Sequence, residues 1–458
     1  MSDSILDRIR SIFKKPEPPA VAPPTPEQVT EAPIGADVVD LTMGLDFGTS
    51  CTKVVIGDHG WQGQSYAVPV GTGQGGLERF LRATQVHAGG KVETNLKMRL
   101  MEQPDSEELR DLVALYLAGV IRDSLGWFFA ENAGCYQRRR VAWSLNLGFP
   151  AKRIDDGPLA TAYRKIAGLA ARLGTSTEPL EIASIRSLQS DQEEGATPWT
   201  IPANRLKIYP EIAAQLAGYV NSPYRIKGNL VIIDVGAGTL DVSTLILHGN
   251  QEADIVSFHV CEVAPLGAFK LLERRIAALG GVAPSLPPLR REDYQSGTVA
   301  IPDTLQGLLG GLNASRACEK AFKDASTSFS DEVVRVAEAS VSLFRTKQRD
   351  AHQNANFDPW PGRLRFFFTG GGSRIPFYRQ LFVEGYFEQQ LVRYTRWEQT
   401  PAERRRQGQG LQLEPLPVPQ DFQGLPPALV GDFDRLSVAH GLAYGHENLM
   451  RITASSHA

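Results

Sequence analysis

Two similar stretches of sequence decide the fold: LDFGTSCTKVVI at residues 45–56 and IDVGAGTLDVST at residues 233–244. Each begins with an apolar run that ends in Asp, passes through a turn of Gly, Thr and other small residues, and continues into a second strand. This order predicts two β-hairpins whose tight turns expose successive backbone N–H groups. Such turns can bind phosphate oxygens, and the hydroxyls of Thr49, Ser50 and Thr239 would add further donors.

The aspartate before each turn supplies the second part of the predicted chemistry. Asp46 and Asp234 both follow apolar strands, where their carboxylates can hold a hydrated Mg²⁺ on the bound phosphates. One such hairpin is a common structural turn, whereas two in one chain could hold one polyphosphate between them. The predicted phosphate-binding positions are the turn residues Gly48, Thr49, Ser50, Gly236, Ala237, Gly238 and Thr239.

A third stretch, FFFTGGGSRIP at residues 366–376, completes the pattern. It predicts a buried strand that runs into a glycine turn and then a helix, with Pro376 near the first helical turn. Glycines allow a flat ring to approach the backbone closely, so this turn is suited to a nucleoside. Alone it would be an ordinary strand–helix turn; after two phosphate hairpins it predicts the other end of a nucleotide site.

The composition is that of a globular protein with a sizeable core. Of the 458 residues, 42% are hydrophobic and 22% are charged, close to the average for soluble domains. The 48 basic and 51 acidic residues give a net charge of −3, which argues against a protein that coats nucleic acid. No secretory signal or membrane-spanning run is evident. We therefore expect a cytoplasmic protein that does not bind nucleic acid.

The three stretches together resemble the motifs of the actin-like ATPase superfamily, which includes actin, sugar kinases, bacterial actin homologues and the DnaK-type 70-kDa heat-shock chaperones. The similarity is greatest to the DnaK-type nucleotide-binding domain, and it extends from about residue 40 to residue 448. The resemblance implies an α/β fold of two lobes, each with a ribonuclease-H-like mixed sheet flanked by helices, and Mg-ATP in the cleft between them. Four further segments carry it: VAWSLNLGFP (141–150), YPEIAAQLA (209–217), ACEKAFK (317–323) and SVAHGLA (437–443).

The resemblance implies a Mg²⁺-dependent ATPase and assigns roles to individual residues. Asp46 and Asp234 match the aspartates that hold Mg²⁺ through water, Glu211 matches the glutamate near the attacking water, and Lys97 is similar to the lysine that reaches the γ-phosphate. These four are the expected catalytic residues. The nucleoside would be held by Glu319, Lys323, Gly370, Gly371, Gly372 and Arg374.

Three positions depart from the family pattern. Ala237 stands where the second phosphate turn usually has glycine, and a methyl group there would strain the turn and slow turnover if the position needs a positive φ. Phe322 stands where the chaperones prefer a basic residue, which would weaken the contact to the base. Arg435 replaces the acidic residue that usually precedes the second connecting helix.

The N-terminal residues predict that the chain attaches to another surface. Residues 1–15 predict a short basic amphipathic helix, and residues 16–39 predict a stiff Pro-rich tether. The helix cannot bury its apolar stripe locally, so it would dock on a membrane surface, a protein partner or the body of its own chain. The lobes are expected at 40–222 and 223–448, with a tail at 449–458.

Two functions are compatible with these features. The first is a chaperone-like ATP-driven switch that acts through a separate protein partner, because no peptide-binding domain is expected after the last motif. The alternative is a membrane-associated, actin-like cytoskeletal or scaffold protein. A sugar kinase would also need a catalytic Asp in an acceptor pocket, and the sequence does not identify one.

Overall fold

The computed structural model describes residues 38–449 and 452–454 with internal gaps. The gaps fall at residues 74–75, 137–138, 151–156, 191–200, 250–253, 283–300, 311–312, 352–362, 385, 388, 390–409, 415, 421, 446–448 and 450–451. The predicted helix at 1–15 and nearly all of the predicted tether at 16–39 therefore lie outside the described residues.

The first half of the chain builds one mixed sheet with helices on both faces. The strands of this half are β1 (Val38–Phe47), β2 (Cys51–Asp58), β3 (Gln64–Ala67), β4 (Arg82–Ala83), β5 (Gln85–Ala88), β6 (Lys91–Thr94), β7 (Arg140–Phe149) and β8 (Leu206–Pro210). Strands β5 and β6 pair with each other as a separate two-stranded sheet. The helices of this half are α1 (Leu96–Glu102), α2 (Glu107–Tyr136), α3 (Gly157–Gly174), α4 (Ile182–Ser190) and α5 (Glu211–Val220). The main strand order is β3-β2-β1-β7-β8, with the first three strands antiparallel and the last two parallel to β1.

The second half builds a sheet of the same topology. The strands of this half are β9 (Gly228–Val235), β10 (Leu240–Gly249), β11 (Asp254–Ala264), β12 (Arg363–Thr369), β13 (Gly410–Glu414), β14 (Phe422–Gln423) and β15 (Ile452–Ala454). All of them except β14 belong to this second sheet. The helices of this half are α6 (Ala268–Gly280), α7 (Leu305–Leu308), α8 (Arg316–Ala351), α9 (Pro376–Phe382) and α10 (Ser437–Leu442). The order β11-β10-β9-β12-β13 repeats the pairing pattern of the first sheet. The predicted two-lobed α/β fold with two mixed sheets is thus confirmed.

The cores explain why the central strands are continuous apolar runs. Leu41, Met43, Leu45 and Phe47 lie on one face of β1 and are fully buried. Thr42, Gly44 and Asp46 on the other face are buried as well, as expected for a strand covered on both faces. Helix α2 packs against this sheet. Its segment Glu107–Asn132 is long and apolar enough to cross a membrane, but 78% of its most apolar window is buried inside the fold. It is therefore a core helix of this lobe.

Two helices cross between the sheets. Leu216 and Ala217 of α5 share a core with strand β9 of the second sheet. Helix α10 is bound to the first sheet, because Asn146 Nδ2 on β7 donates to the carbonyl oxygens of Leu442 at 2.7 Å and Tyr444 at 3.0 Å. Gly441 of α10 contacts the backbone of Ala214, where no Cβ could be accommodated. The two helices thus join the lobes through a backbone contact.

The lobes are not continuous in sequence. Helix α5 lies within the predicted first lobe (40–222) but packs on the second sheet. Strand β14 and helix α10 lie within the predicted second lobe (223–448), yet β14 pairs with β3 of the first sheet. Strand β15, in the predicted tail (449–458), pairs with β11 of the second sheet. The chain therefore passes between the lobes more than once, so that each lobe contains residues from both sides of residue 222.

Candidate functional site

The two hairpin turns and the glycine turn line one cavity of about 360 Å³ between the lobes. Most of the predicted site residues lie on its wall: Asp46, Gly48, Thr49, Ser50, Lys97, Glu211, Asp234, Gly236, Ala237, Thr239, Gly370, Gly371, Gly372 and Arg374. Gly238 lies at the tip of the second turn, where a Cβ would be 3.1 Å from Thr49 Oγ1 in the first. The hairpins therefore face each other at close range, as their sequences predict for a shared polyphosphate.

The first hairpin contains an internal ion pair. Asp46 on β1 and Lys53 on β2 are paired in register, and Lys53 Nζ donates to Asp46 Oδ2 at 2.8 Å. Burial lowers the pKa of Lys53, but the neighbouring Asp46 carboxylate outweighs it and leaves the pKa above its ordinary value. Thr84 supports the turn, with Oγ1 donating to the Gly48 carbonyl at 2.8 Å and its N–H to that of Ser50 at 2.9 Å.

The second hairpin contains two carboxylates at the equivalent positions. Asp234 on β9 and Asp241 on β10 are paired in register. Gln215 Nε2 donates to Asp234 Oδ2 at 2.7 Å, whereas Asp241 Oδ1 is buried without a hydrogen-bond partner. Burial raises the pKa of both groups, and the charge of Asp234 raises that of Asp241 further. An oxygen-rich pair with an unused acceptor fits a hard cation such as Mg²⁺.

The second turn is held by the start of helix α6. The N–H of Ala268 donates to the Gly236 carbonyl at 3.0 Å, and that of Phe269 to the Ala237 carbonyl at 2.7 Å. Gly267 makes this approach possible, since a Cβ there would lie 2.5 Å from both the Gly238 carbonyl carbon and the Thr239 nitrogen. The helix thus fixes the turn through backbone contacts.

The strain expected at Ala237 is absent. Among the described residues other than glycine, only Asn95 has a positive φ, of 57°. Ala237 can therefore carry its methyl group without cost, because its backbone is outside the left-handed region that favours glycine. The expectation of slow turnover from this substitution loses its physical basis.

Lys97 and Glu211 form an ion pair at the wall of the cavity. Lys97 Nζ lies 2.5 Å from Glu211 Oε1, although the residues are 114 positions apart. Lys97 is on α1, and Glu211 is the first residue of α5. Burial raises the pKa of Glu211, and the charge of Lys97 opposes this shift. The pair therefore places a buried acid and a buried cation together beside the hairpin turns.

The glycine turn lies directly against Asp234. Gly370 has a φ of 84°, and a Cβ on it would clash with Asp234 Oδ1, so only glycine fits. Arg374, on the turn that follows, pairs with Asp432 and with Asp434 Oδ1 at 2.5 Å, and donates to the Gly431 carbonyl at 3.0 Å. The guanidinium of Arg374 is thus already bound to the segment that leads into α10.

Glu319 and Lys323 do not line the cavity. Both are exposed on helix α8, on adjacent turns of the same face. Cys318 on this helix is buried instead, and the ring of Phe322 lies under the guanidinium of Arg275 at 4.5 Å. The helix therefore directs the predicted nucleoside-binding pair to solvent.

Sequence reasoning missed several residues that complete the site. Lys53 and Asp241 could have been found, because each is the seventh residue after the aspartate of its motif and a tight hairpin pairs those positions. Gln215 and Gly267 gave no local signal, since their roles depend on contacts made by the fold.

Neither a family model nor a curated protein matches the chain. Among solved structures, 311 chains match. One of them is titled "MamK double helical filament"; it has 14% sequence identity and a TM-score of 0.42, over 88% of this chain and 98% of that chain. At this identity and score, the likeness does not assign an activity or an assembly to this chain.

Proposed function

We propose that this chain binds Mg-ATP in the cavity between its lobes and hydrolyses it. The observation that carries the proposal is the meeting of two glycine hairpins, one from each of two sheets with the same topology, at a single cavity. The cavity wall holds both carboxylates and cations, which a metal-bound polyphosphate requires. Adenine as the base follows from the resemblance of the motifs.

The phosphate chain would lie between the two turns. Their backbone N–H groups, with the hydroxyls of Thr49, Ser50 and Thr239, supply the neutral donors. Lys53 and Lys97, both on the cavity wall, supply positive charge. Both are already paired with carboxylates, so they are positioned before a ligand arrives, which favours binding of the transition state.

The metal ion would be held by the acidic side of the cavity. Asp46 and Asp234 would bind its water ligands, and Asp241 would offer the carboxylate oxygen that has no hydrogen-bond partner. When bound, Mg²⁺ supplies neutralisation of the charge on the phosphate oxygens. Its binding would also relieve the repulsion between Asp234 and Asp241.

Hydrolysis transfers the terminal phosphoryl group to water. The water oxygen forms a bond to phosphorus, the bond to the leaving phosphate oxygen breaks, and the water proton passes to a base. Glu211 suits this role, since burial raises its pKa toward that of a useful base. Lys97, at 2.5 Å from Glu211, would bind the terminal phosphate and bring it next to the base.

The test is phosphate release from Mg-ATP by the full chain. Asp46→Asn and Asp234→Asn keep the shape of the side chain but remove its charge, and each should lower the rate by about 10–100-fold, as for other groups that hold a metal indirectly. Asp105→Asn, at an exposed position, is the matched control and should keep the wild-type rate. Equal rates in all four proteins would overturn the proposal.

We propose two alternative roles for the ATPase, an actin-like scaffold and a chaperone-like switch. The scaffold version is the one that the printed name of the matched filament chain would favour, but a TM-score of 0.42 does not carry that choice. No contact among the described residues favours the chaperone-like version. Sedimentation of the full chain separates them: pelleting that requires Mg-ATP supports a scaffold, whereas a soluble monomer stimulated by a protein partner supports a switch.

The helix predicted at residues 1–15 would define where either version acts. We propose that residues 1–15 bind a membrane surface or a protein partner from the cytoplasmic side. Liposome co-sedimentation of the full chain and of a chain lacking residues 1–15 tests the membrane contact. Binding that is lost on deletion supports it, and binding that is the same in both proteins contradicts it.

A further inference from the structure

Arg435 lies at the junction of the two lobes. It is the last residue of the 3₁₀ helix Pro427–Arg435 and directly precedes the segment that leads into α10. It also lines the cavity. This position brings a cationic side chain to the cavity from the connecting segment, independently of the hairpins.

The guanidinium of Arg435 lies over the glycine turn. Its Nε, Nη2 and Cζ atoms are 3.5, 3.5 and 3.6 Å from the position that a Cβ on Gly371 would occupy. Three nearly equal distances mean that the plane of the group faces Gly371, so its N–H donors point sideways along the cavity wall. Arg435 Nη2 is also 4.0 Å from the Sγ atom of Cys51, which directly follows the first phosphate turn. The group therefore spans the nucleoside turn of one lobe and the phosphate turn of the other.

A second cation lies on the same part of the wall. Lys53 is close enough to Arg435 for their positive charges to repel each other. Lys53 shares its charge with Asp46, and Arg435 adds a further positive charge that can attract an anion to the space beside it. A planar guanidinium is moreover suited to bind two oxygens of one phosphate.

The position along the ligand follows from the two turns that Arg435 approaches. Arg435 contacts Gly371, which belongs to the turn that the sequence assigns to the nucleoside. It also approaches Cys51, directly after the first phosphate turn, and so lies between the two. A phosphate beside Arg435 would therefore be the one attached to the nucleoside.

We propose that Arg435 binds the phosphate group nearest the nucleoside, and that the site consequently requires a nucleotide rather than a free nucleoside. This inference rests on the proposed nucleotide site. It makes the affinity for mono-, di- and triphosphates depend on Arg435 to the same degree, whereas Lys97 acts only on the terminal phosphate.

The experiment measures dissociation constants of the full chain for Mg-ATP, Mg-ADP, AMP and adenosine by competition with a fluorescent ADP analogue. Arg435→Gln should weaken the three phosphorylated ligands by a common factor of about 10–100, the worth of a charged hydrogen bond. Adenosine should change by less than about twofold, and Arg435→Lys should recover part of the loss. The matched control is Arg379→Gln, which removes the same charge from an exposed position on α9.

Three results would overturn the inference. An equal loss of adenosine and ATP affinity would mean that Arg435 binds the nucleoside or stabilises the fold. A loss confined to ATP would place it at the terminal phosphate, and unchanged affinities in Arg435→Gln would exclude it from the site. If the wild-type chain binds none of the phosphorylated ligands, the proposed function itself fails, which separates that failure from the failure of this inference.

Discussion

The two hairpins share one backbone frame but differ in charge. At the position paired with the aspartate of each motif, the first hairpin has Lys53 and the second has Asp241. In the first lobe, the aspartate is neutralised by a neighbour at 2.8 Å. In the second, two carboxylates share a buried site. The first hairpin therefore contains its own ion pair, whereas the second carries two acidic groups that a bound cation would stabilise.

The largest expected effect is on stability, which substitutions in the two hairpins should change in opposite directions. Lys53→Met leaves Asp46 buried without its partner and should lower the free energy of unfolding by about 3–5 kcal/mol. Asp241→Asn removes the repulsion with Asp234 and should raise the free energy of unfolding. Urea unfolding without nucleotide or Mg²⁺ measures both. Changes of the same sign would remove the electrical distinction between the lobes.

The second comparison concerns the metal. Asp234→Asn should raise the Mg²⁺ concentration that gives half-maximal hydrolysis by about 10–100-fold, because it removes one of two carboxylates that face each other. Asp46→Asn should raise it less, since Lys53 already shares the charge of Asp46. Magnesium titrations of phosphate release give both values. A larger shift in Asp46→Asn would mean that the first hairpin is the main metal site.

The two turns should also differ in what supports them. Gly267→Ala places a methyl group 2.5 Å from the second turn and should cost about 1–3 kcal/mol of stability, as overpacking does, with a loss of nucleotide affinity. Thr84→Val removes a single hydroxyl contact to the first turn and should cost about 1 kcal/mol. Thermal unfolding with and without Mg-ATP compares them. An equal effect of both changes would mean that α6 does not fix the second turn.

The acidic pair of the second hairpin should also affect the pH dependence of hydrolysis. Burial raises the pKa of Glu211, Asp234 and Asp241, so these groups take up protons at a higher pH than ordinary carboxyls. Hydrolysis should therefore decline on the acid side before pH falls to about 4. In Asp241→Asn, the decline should move to lower pH, because the substitution removes a carboxyl whose pKa is raised by burial and by the charges of Asp234 and Glu211. An unchanged acid limb would show that the acid pair does not control the reaction.

The smallest effect is expected at Ala237. Because its φ is not positive, Ala237→Gly relieves no strain and only increases the freedom of the unfolded chain. It should lower stability by about 0.4–1 kcal/mol without raising the rate of hydrolysis. A clear gain in rate, measured beside the wild type at saturating Mg-ATP, would show that the methyl group does restrain the turn.

The sequence predicts the site best where its determinants are local. Each hairpin is specified within a dozen residues, because the apolar strands and small turn residues that form it are contiguous. The family resemblance assigned separate roles to Lys97 and Glu211 but did not predict their ion pair, and no spacing rule would have joined residues so far apart. Local pattern also specified the buried strand and glycine turn around Gly370.

The parts that sequence did not predict depend on how elements pack. The orientation of α8 turns Glu319 and Lys323 to solvent, and this orientation follows from which of its residues, such as Cys318, meet the core. Gly267 is required only because α6 begins against the second turn. The return of α10 to the first sheet rests on contacts between residues distant in sequence, such as Val55 with Ala439 and the buried amide of Asn146 with the Leu442 carbonyl.

The most direct measurement of the central claim is isothermal titration calorimetry of the full chain with ATP, in the presence and absence of Mg²⁺. We expect one bound nucleotide per chain, with an affinity that depends on Mg²⁺ and is lower in Asp234→Asn than in the wild type. Absence of heat with Mg-ATP, or identical binding with and without the metal in both proteins, would contradict it.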